Sequence, residues 1–160
     1  MVKIDTLFKK GRISRITDLE IERYVNFFNS TFRDNLAHSE KIISDFPRWS
    51  IISGYYAMHD AAKLLFAKKF RLKVDFKVHK TTIELLRELI KNIEIPELLE
   101  KGYKNFINLA NDLEEAEKNR TKAQYYTGTK FLREEYRKLA GEFHKSVVLP
   151  YIRKIMEILR

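Results

Sequence analysis

The sequence predicts an all-α fold, an up-and-down helical bundle of four long helices plus a short one. Punctuation is sparse, with 3 prolines and 5 glycines in 160 residues, and where it falls it separates long segments of helical periodicity. The stretch from Trp49 to His59 contains no Asp, Glu, Lys or Arg, which suits a helix enclosed on most sides and therefore the centre of the bundle. Helices of about 25 residues are each about 37 Å long, and short connections between them favour antiparallel neighbours.

The elements follow in order. Residues 1–16 read as a basic N-terminal extension of a single domain that occupies the whole chain. Thr17 and Glu20 form a capping box, after which Ile21, Tyr24, Val25, Phe28, Phe32 and Leu36 recur at helical spacing up to about Ile43. Asp45-Phe46-Pro47 offers a turn and places proline in the first turn of a second helix running to about Phe70. Gly54, Ala57 and Ala61 on this helix allow a neighbouring element to approach closely. A short third helix spans about Lys80 to Lys91. Pro96 opens a fourth, with a stripe of Leu99, Tyr103, Phe106, Leu109, Leu113 and Ala116, and Thr127-Gly128 supplies its stop. The last helix runs from about Lys130 to the end through Leu132, Tyr136, Leu139, Phe143 and Val147, kinked at Pro150, which lacks an N–H.

Composition removes several function classes. Without cysteine there is neither a disulfide nor a thiolate-bound zinc. No segment approaches the ~20 apolar residues of a membrane span and no signal-peptide core follows the N-terminus, so a cytoplasmic protein without membrane association is expected. Phosphate-binding glycine loops, the dinucleotide fingerprint and the serine nucleophile elbow are all missing. His38, His59, His79 and His144 are too far apart for a helical metal pair, and the acidic run Asp112, Glu114, Glu115 and Glu117 suits a solvated helix face. Neither a metal nor a cofactor is expected. With 31 Lys and Arg against 22 Asp and Glu the net charge is +9, which favours anionic partners.

Arg120 is the main anomaly. It lies seven residues beyond Leu113 along the apolar stripe of the fourth helix, with the small Ala116 and Ala123 on either side. A guanidinium there lays its stem along the bundle end with its head in water, or meets an anion. Gln124 shares its face, and Tyr125 and Tyr126 fall where the helix ends. A phenol of pKa about 10 is a poor general base at neutral pH but a good donor and stacking surface.

Three segments together resemble the HEPN family of small helical domains. The second helix reads Tyr55-Tyr56-Ala57-Met58-His59-Asp60-Ala61-Ala62-Lys63-Leu64-Leu65, similar to that family's Tyr-Tyr-Ala helix. Val78-His79-Lys80 precedes a leucine-rich helix, and Asn119-Arg120-Thr121-Lys122-Ala123-Gln124-Tyr125 resembles the family's arginine motif. The likeness spans about residues 20 to 155 and implies a HEPN-like bundle, homodimeric and without a metal. Ribonuclease members follow the arginine with a histidine after four to six residues, whereas Tyr125, Tyr126 and Thr127 occupy those positions here. The missing group is a proton-transfer residue of the kind that contributes about 10²–10⁴-fold. A replacement would come from His59, His144 or the tyrosines.

The resemblance therefore implies a nucleotide- or RNA-binding protein, partner to a minimal nucleotidyltransferase in a toxin–antitoxin-like pair. Its alternative is a metal-independent endoribonuclease using Arg120 with Tyr125 or Tyr126. Under the partner reading, Tyr125 and Tyr126 are also positions that a nucleotidyltransferase could modify. Asn119, Arg120 and Gln124 are the motif's candidate ligand contacts. The segment from Lys68 to Lys80 adds Lys73, Lys77, His79 and Lys80, with Phe70 and Phe76 interleaved; it reads as a phosphate-tracking patch or as an extended connector burying Val74, Phe76 and Val78. Tyr56, Asp60 and Lys63 share one side of the second helix and line a candidate cleft, or form an ordinary polar strip.

Overall fold

A computed structural model describes residues 3–119 and 128–160, with the side chains of 110, 112–119 and 128–132 excepted. Among these residues the chain forms α1 (Ile4–Lys9), β1 (Ile13–Arg15), α2 (Asp18–Lys41), α3 (Pro47–Leu65), β2 (Leu72–Val74), α4 (Val78–Leu89), α5 (Glu94–Asn119), α6 (Gly128–Phe143) and α7 (Leu149–Leu159). A π-helical turn continues α3 over Phe66–Phe70, and another joins α6 to α7 over His144–Val148.

The helical expectation holds for every long element. Thr17 and Glu20 form the capping box of α2, the threonine N–H and hydroxyl both donating to Glu20 Oε2 at 3.2 and 2.8 Å. Those two bonds, with Lys73 beside them, hold the Glu20 carboxyl down at about 2. Pro47 sits in the first turn of α3, where a missing N–H is harmless. Pro150 neither ends nor sharply breaks the last helix. The wider π turn just before it shifts the carbonyls that its ring would strike in an α-helix.

α3 is the central element, packed against α2, α4, α5, α6 and α7. It runs antiparallel to α2, since Asn35 pairs with Asp60, His38 with Ser53 and Ser39 with Ser50 in reverse order along the two helices. Gly54 lets the C-terminal helices approach, because a Cβ there would stand 3.0 Å from Ser39 Oγ, 3.0 Å from Val148 and 3.3 Å from Phe143. Tyr55, Met58, Leu64, Leu65, Leu86, Ile95 and Tyr151 form the middle of the core.

The main departure from an all-helical chain is at the N-terminus. Residues expected as an extension fold back as α1 and β1, burying Leu7, Ile13 and Ile16. β1 pairs antiparallel with β2 in the register Ile13↔Val74, Ser14↔Lys73 and Arg15↔Leu72. The Lys68–Lys80 segment is thus half of a small sheet; Leu72 and Val74 point inward, Phe76 is exposed, and Val78 already belongs to α4. Gly128, expected to stop the fourth helix, opens α6. Arg12 locks the sheet to α4. Its Nε donates to Thr81 Oγ1 at 2.9 Å, its Nη1 meets Glu84 Oε2 at 2.6 Å, and only 8% of the residue is exposed.

This ion pair gives a direct test of whether residues 1–16 belong to the fold. Removing one member of a buried pair leaves the other charge uncompensated. Arg12→Met is expected to destabilise the protein by about 2–4 kcal/mol in urea unfolding, and adding Glu84→Gln should recover a large part of the loss. A single substitution within about 0.5 kcal/mol of wild type would show that α1 and β1 are not anchored through Arg12.

Candidate ligand-binding face of the central helix

Enclosure leaves α3 one accessible edge. Trp49, Ile52, Tyr56 and Lys63 are its exposed or half-exposed residues after Arg48, and positions 49, 56 and 63 repeat every two turns on one side of an α-helix. Tyr56 is 40% exposed and stands edge-on to Phe106 of α5 with ring centroids 5.9 Å apart. Lys63 lies half-buried with Nζ 4.9 Å from the centre of the Phe28 ring. Asp60, one turn before it, is 8% exposed and accepts a bond from Asn35 Nδ2 at 3.2 Å. The three residues expected to share a side of this helix therefore do so, but only Tyr56 and Lys63 reach the surface.

Behind this edge is an aromatic cluster. Tyr55 stacks on Phe106 at 5.0 Å, and His79, in the first turn of α4, stacks on Tyr103 at 5.0 Å. His79 also lies 5.2 Å from the His59 ring and 5.5 Å from the Tyr55 ring. The hydrogen bonds assign the protons. Burial drives the Tyr55 phenol far above its ordinary value, so its O–H donates to His79 Nδ1 at 2.5 Å and leaves Nε2–H as that ring's donor. Thr82 gives its hydroxyl proton to Val78 O at 2.8 Å and so accepts from His59 Nε2 at 3.1 Å.

Electrostatics here follow from burial first and from Lys63 second. Burial lowers His59 to about 3, and the Lys63 ammonium and His79 push the same way. His79 is lowered by the same two causes, burial and Lys63. Asp60 is raised by burial against the opposing pull of Lys63, and Lys63 is lowered by burial against the pull of Asp60. Tyr24, tilted against Phe28 with ring centroids 4.8 Å apart, is pushed up to about 12 by burial and by Asp75, Asp60 and Glu20. The face therefore presents phenols, a neutral imidazole and one ammonium over aromatic rings. Such a set can hold an anion and stack a planar group, but it offers no imidazolium.

The basic segment is less free than its composition suggests. Arg71 pairs with Asp18, Lys73 Nζ meets Glu20 Oε1 at 3.1 Å, and Lys80 Nζ meets Glu84 Oε1 at 3.9 Å. Lys68, Lys69 and Lys77 are exposed. Arg120, Gln124, Tyr125 and Tyr126 lie outside the described residues, and Asn119 is placed only as the last residue of α5. Among the described residues no group of three or more His, Asp or Glu could hold a metal, and no helix is long and apolar enough to cross a membrane. Two substitutes for the missing histidine are withdrawn from the surface. His59 is 2% exposed, and His144 is 5% exposed with Nδ1 at 3.1 Å from Ser39 Oγ.

Sequence reading missed the part played by Phe28, Tyr103 and Phe106, which frame the candidate ligands. Tyr103 and Phe106 lie on the apolar stripe of α5, but a stripe does not say which of its members meets α3.

Neutral buried histidines make stability depend on acid. With a folded value near 3 against about 6.5 unfolded, His59 binds a proton in the unfolded chain first, so stability rises with pH between these values and is lost as pH falls below about 6.5. His79 and His144 act in the same direction. His59→Gln, which keeps a donor toward Thr82, is expected to flatten the dependence of unfolding free energy on pH between about 4 and 6 by up to one proton, about 1.4 kcal/mol per pH unit. Urea titrations across this range check it; an unchanged slope would mean that His59 is charged in the folded protein.

Comparison with protein-family models, with curated proteins and with solved structures finds nothing that matches this chain.

Proposed function

We propose that the chain is a HEPN-type RNA- or nucleotide-binding protein, homodimeric, and the partner of a minimal nucleotidyltransferase in a toxin–antitoxin-like pair. The observation that supports binding most directly is the single open edge of α3, where Tyr56 offers a stacking face beside Phe106 and Lys63 offers a cation over Phe28. Base stacking on an aromatic side chain is worth about 1–3 kcal/mol and tolerates any sequence, while ammonium groups supply the salt-dependent term. The resemblance of Tyr55–Leu65, Val78–Lys80 and Asn119–Tyr125 to the family's segments supports the family and the nucleotidyltransferase partner.

Binding without turnover is favoured over the ribonuclease reading by the state of His59, His79 and His144. His59 and His144 are buried, and His79 has its Nδ1 occupied by the Tyr55 hydroxyl. Metal-free attack by a ribose 2′-hydroxyl needs a group that takes up a proton at neutral pH and reaches the substrate. None of these three rings is presented to solvent as such a group.

Incubating labelled single-stranded RNA with the protein in EDTA, beside Arg120→Ala and Tyr56→Ala, tests the reading. RNA is expected to remain intact and to be retained, with retention weakening as salt rises. Tyr56→Ala should weaken it by about tenfold, the equivalent of about 1.4 kcal/mol. Cleavage by the wild type that disappears in Arg120→Ala would establish the ribonuclease instead, and neither retention nor cleavage would leave a purely protein-binding subunit.

A further inference from the structure

The N-terminal end of α3 carries a second feature that the function proposed above does not use. Phe46 and Trp49 are each 60% exposed, unusual for large aromatic side chains that stand so close together in sequence. They line one side of a cleft of about 350 Å³ with Pro47, Asp45, Arg48, Arg133 and Tyr136. That volume falls in the range of small-ligand sites, about 300–1,000 Å³.

The walls are held in place. Arg133 Nη2 donates to Asp45 O at 3.2 Å, and Arg137 Nε donates to Ser44 O at 2.6 Å, so α6 fastens the turn that carries Phe46. The Arg48 guanidinium lies over the Tyr136 ring at 4.7 Å and has no carboxylate partner among the described residues. The ring contact places the guanidinium plane beside the cleft, where its donors can reach an anion. The cleft thus combines exposed aromatic faces, two guanidinium groups and one aspartate at the rim.

We infer that this cleft binds one nucleotide unit, its base stacked on Trp49 and Phe46 and its phosphate held by Arg48 with Arg133. A planar base matches the aromatic faces, and guanidinium forks suit phosphate oxygens. A folded protein partner fits less well, because a specific interface covers about 800 Å² on each side, whereas a site of this volume takes a single small group. The unit comes from a free mononucleotide or from a single-stranded RNA. Trp49 and Tyr56 lie on the same stripe of α3, about 10 Å apart along the helix at 1.5 Å per residue, so a strand could continue from the cleft onto the face described above. That extension rests on the RNA-binding reading, but occupation of the cleft does not.

Trp49 is the only tryptophan in the chain, so its fluorescence reports on the cleft alone. The protein is titrated separately with AMP, UMP, adenosine and a twelve-residue oligouridylate, and RNA retention is followed in parallel by filter binding. Saturable quenching by a mononucleotide or the oligonucleotide is expected, with Arg48→Ala weakening it by about tenfold and adenosine binding worse than AMP. Quenching by mononucleotides identifies a free-nucleotide site; quenching by the oligonucleotide alone identifies a strand site. No quenching by any nucleotide from a protein folded by circular dichroism would overturn the inference, as would quenching unchanged in Arg48→Ala. RNA retained without Trp49 quenching removes this site and leaves the proposed function standing. Mononucleotide quenching without RNA retention establishes this site and removes only the RNA-binding half of the proposed function.

Discussion

A helix with nearly all its sides buried has to dispose of its own polar groups, and α3 is such a helix. Ser50, Ser53, His59 and Asp60 are all less than 9% exposed, and each finds a partner on a neighbouring helix, three on α2 and one on α4. Ser50 donates to Ser39 O at 2.7 Å, Ser53 Oγ lies 2.7 Å from His38 Nδ1, Asp60 accepts from Asn35, and His59 meets Thr82. A buried polar group left without a partner costs about 1–3 kcal/mol. Sliding α2 by one turn would break three of these bonds together, so the apolar core supplies the stability and the polar contacts fix the register.

The same enclosure concentrates what the molecule can do. Burial, and after it the Lys63 ammonium beside Phe28 and Asp60, lowers the basicity of two imidazoles, which therefore stay neutral. Proton transfer at neutral pH is poorly served by such a site, because burial displaces His59, His79, Asp60 and Lys63 toward their uncharged forms. Anion binding and stacking are better served, since a neutral imidazole and phenols donate hydrogen bonds without the cost of burying further charge.

Much of this architecture was legible in the sequence. The capping box at Thr17, the proline at the start of α3 and the stripe of α5 are local signals, and each element formed where its signal lay. The hairpin of β1 and β2 was not legible, because its cause is long-range: Arg12 meets Glu84, and Ile13 finds Val74, far along the chain. Charge counting also overstated the basic segment, since composition records Arg71 and Lys73 but not the Asp18 and Glu20 that pair with them. The uncharged stretch at Trp49 correctly marked the central helix. It did not reveal that Trp49 itself faces outward, although the seven-residue spacing to Tyr56 and Lys63 contained that information.

This distribution of charge bears on how any nucleic acid would be held. Each phosphate neutralised on a single strand contributes about −0.7 to the slope of log affinity against log salt. A net charge of +9 suggests a steep slope, but the arginine and lysines already paired within the fold release few counterions when RNA arrives. Exposed Lys68, Lys69 and Lys77, half-exposed Lys63 and exposed Arg48 are spread over both ends of α3 and the turn beyond it, so a strand would meet them one after another and not as a single cluster. Stacking on aromatic groups is insensitive to salt and acts wherever a base can reach a ring. For a short strand on this protein, rings and cations would therefore share the affinity, the rings supplying the part that persists as salt rises.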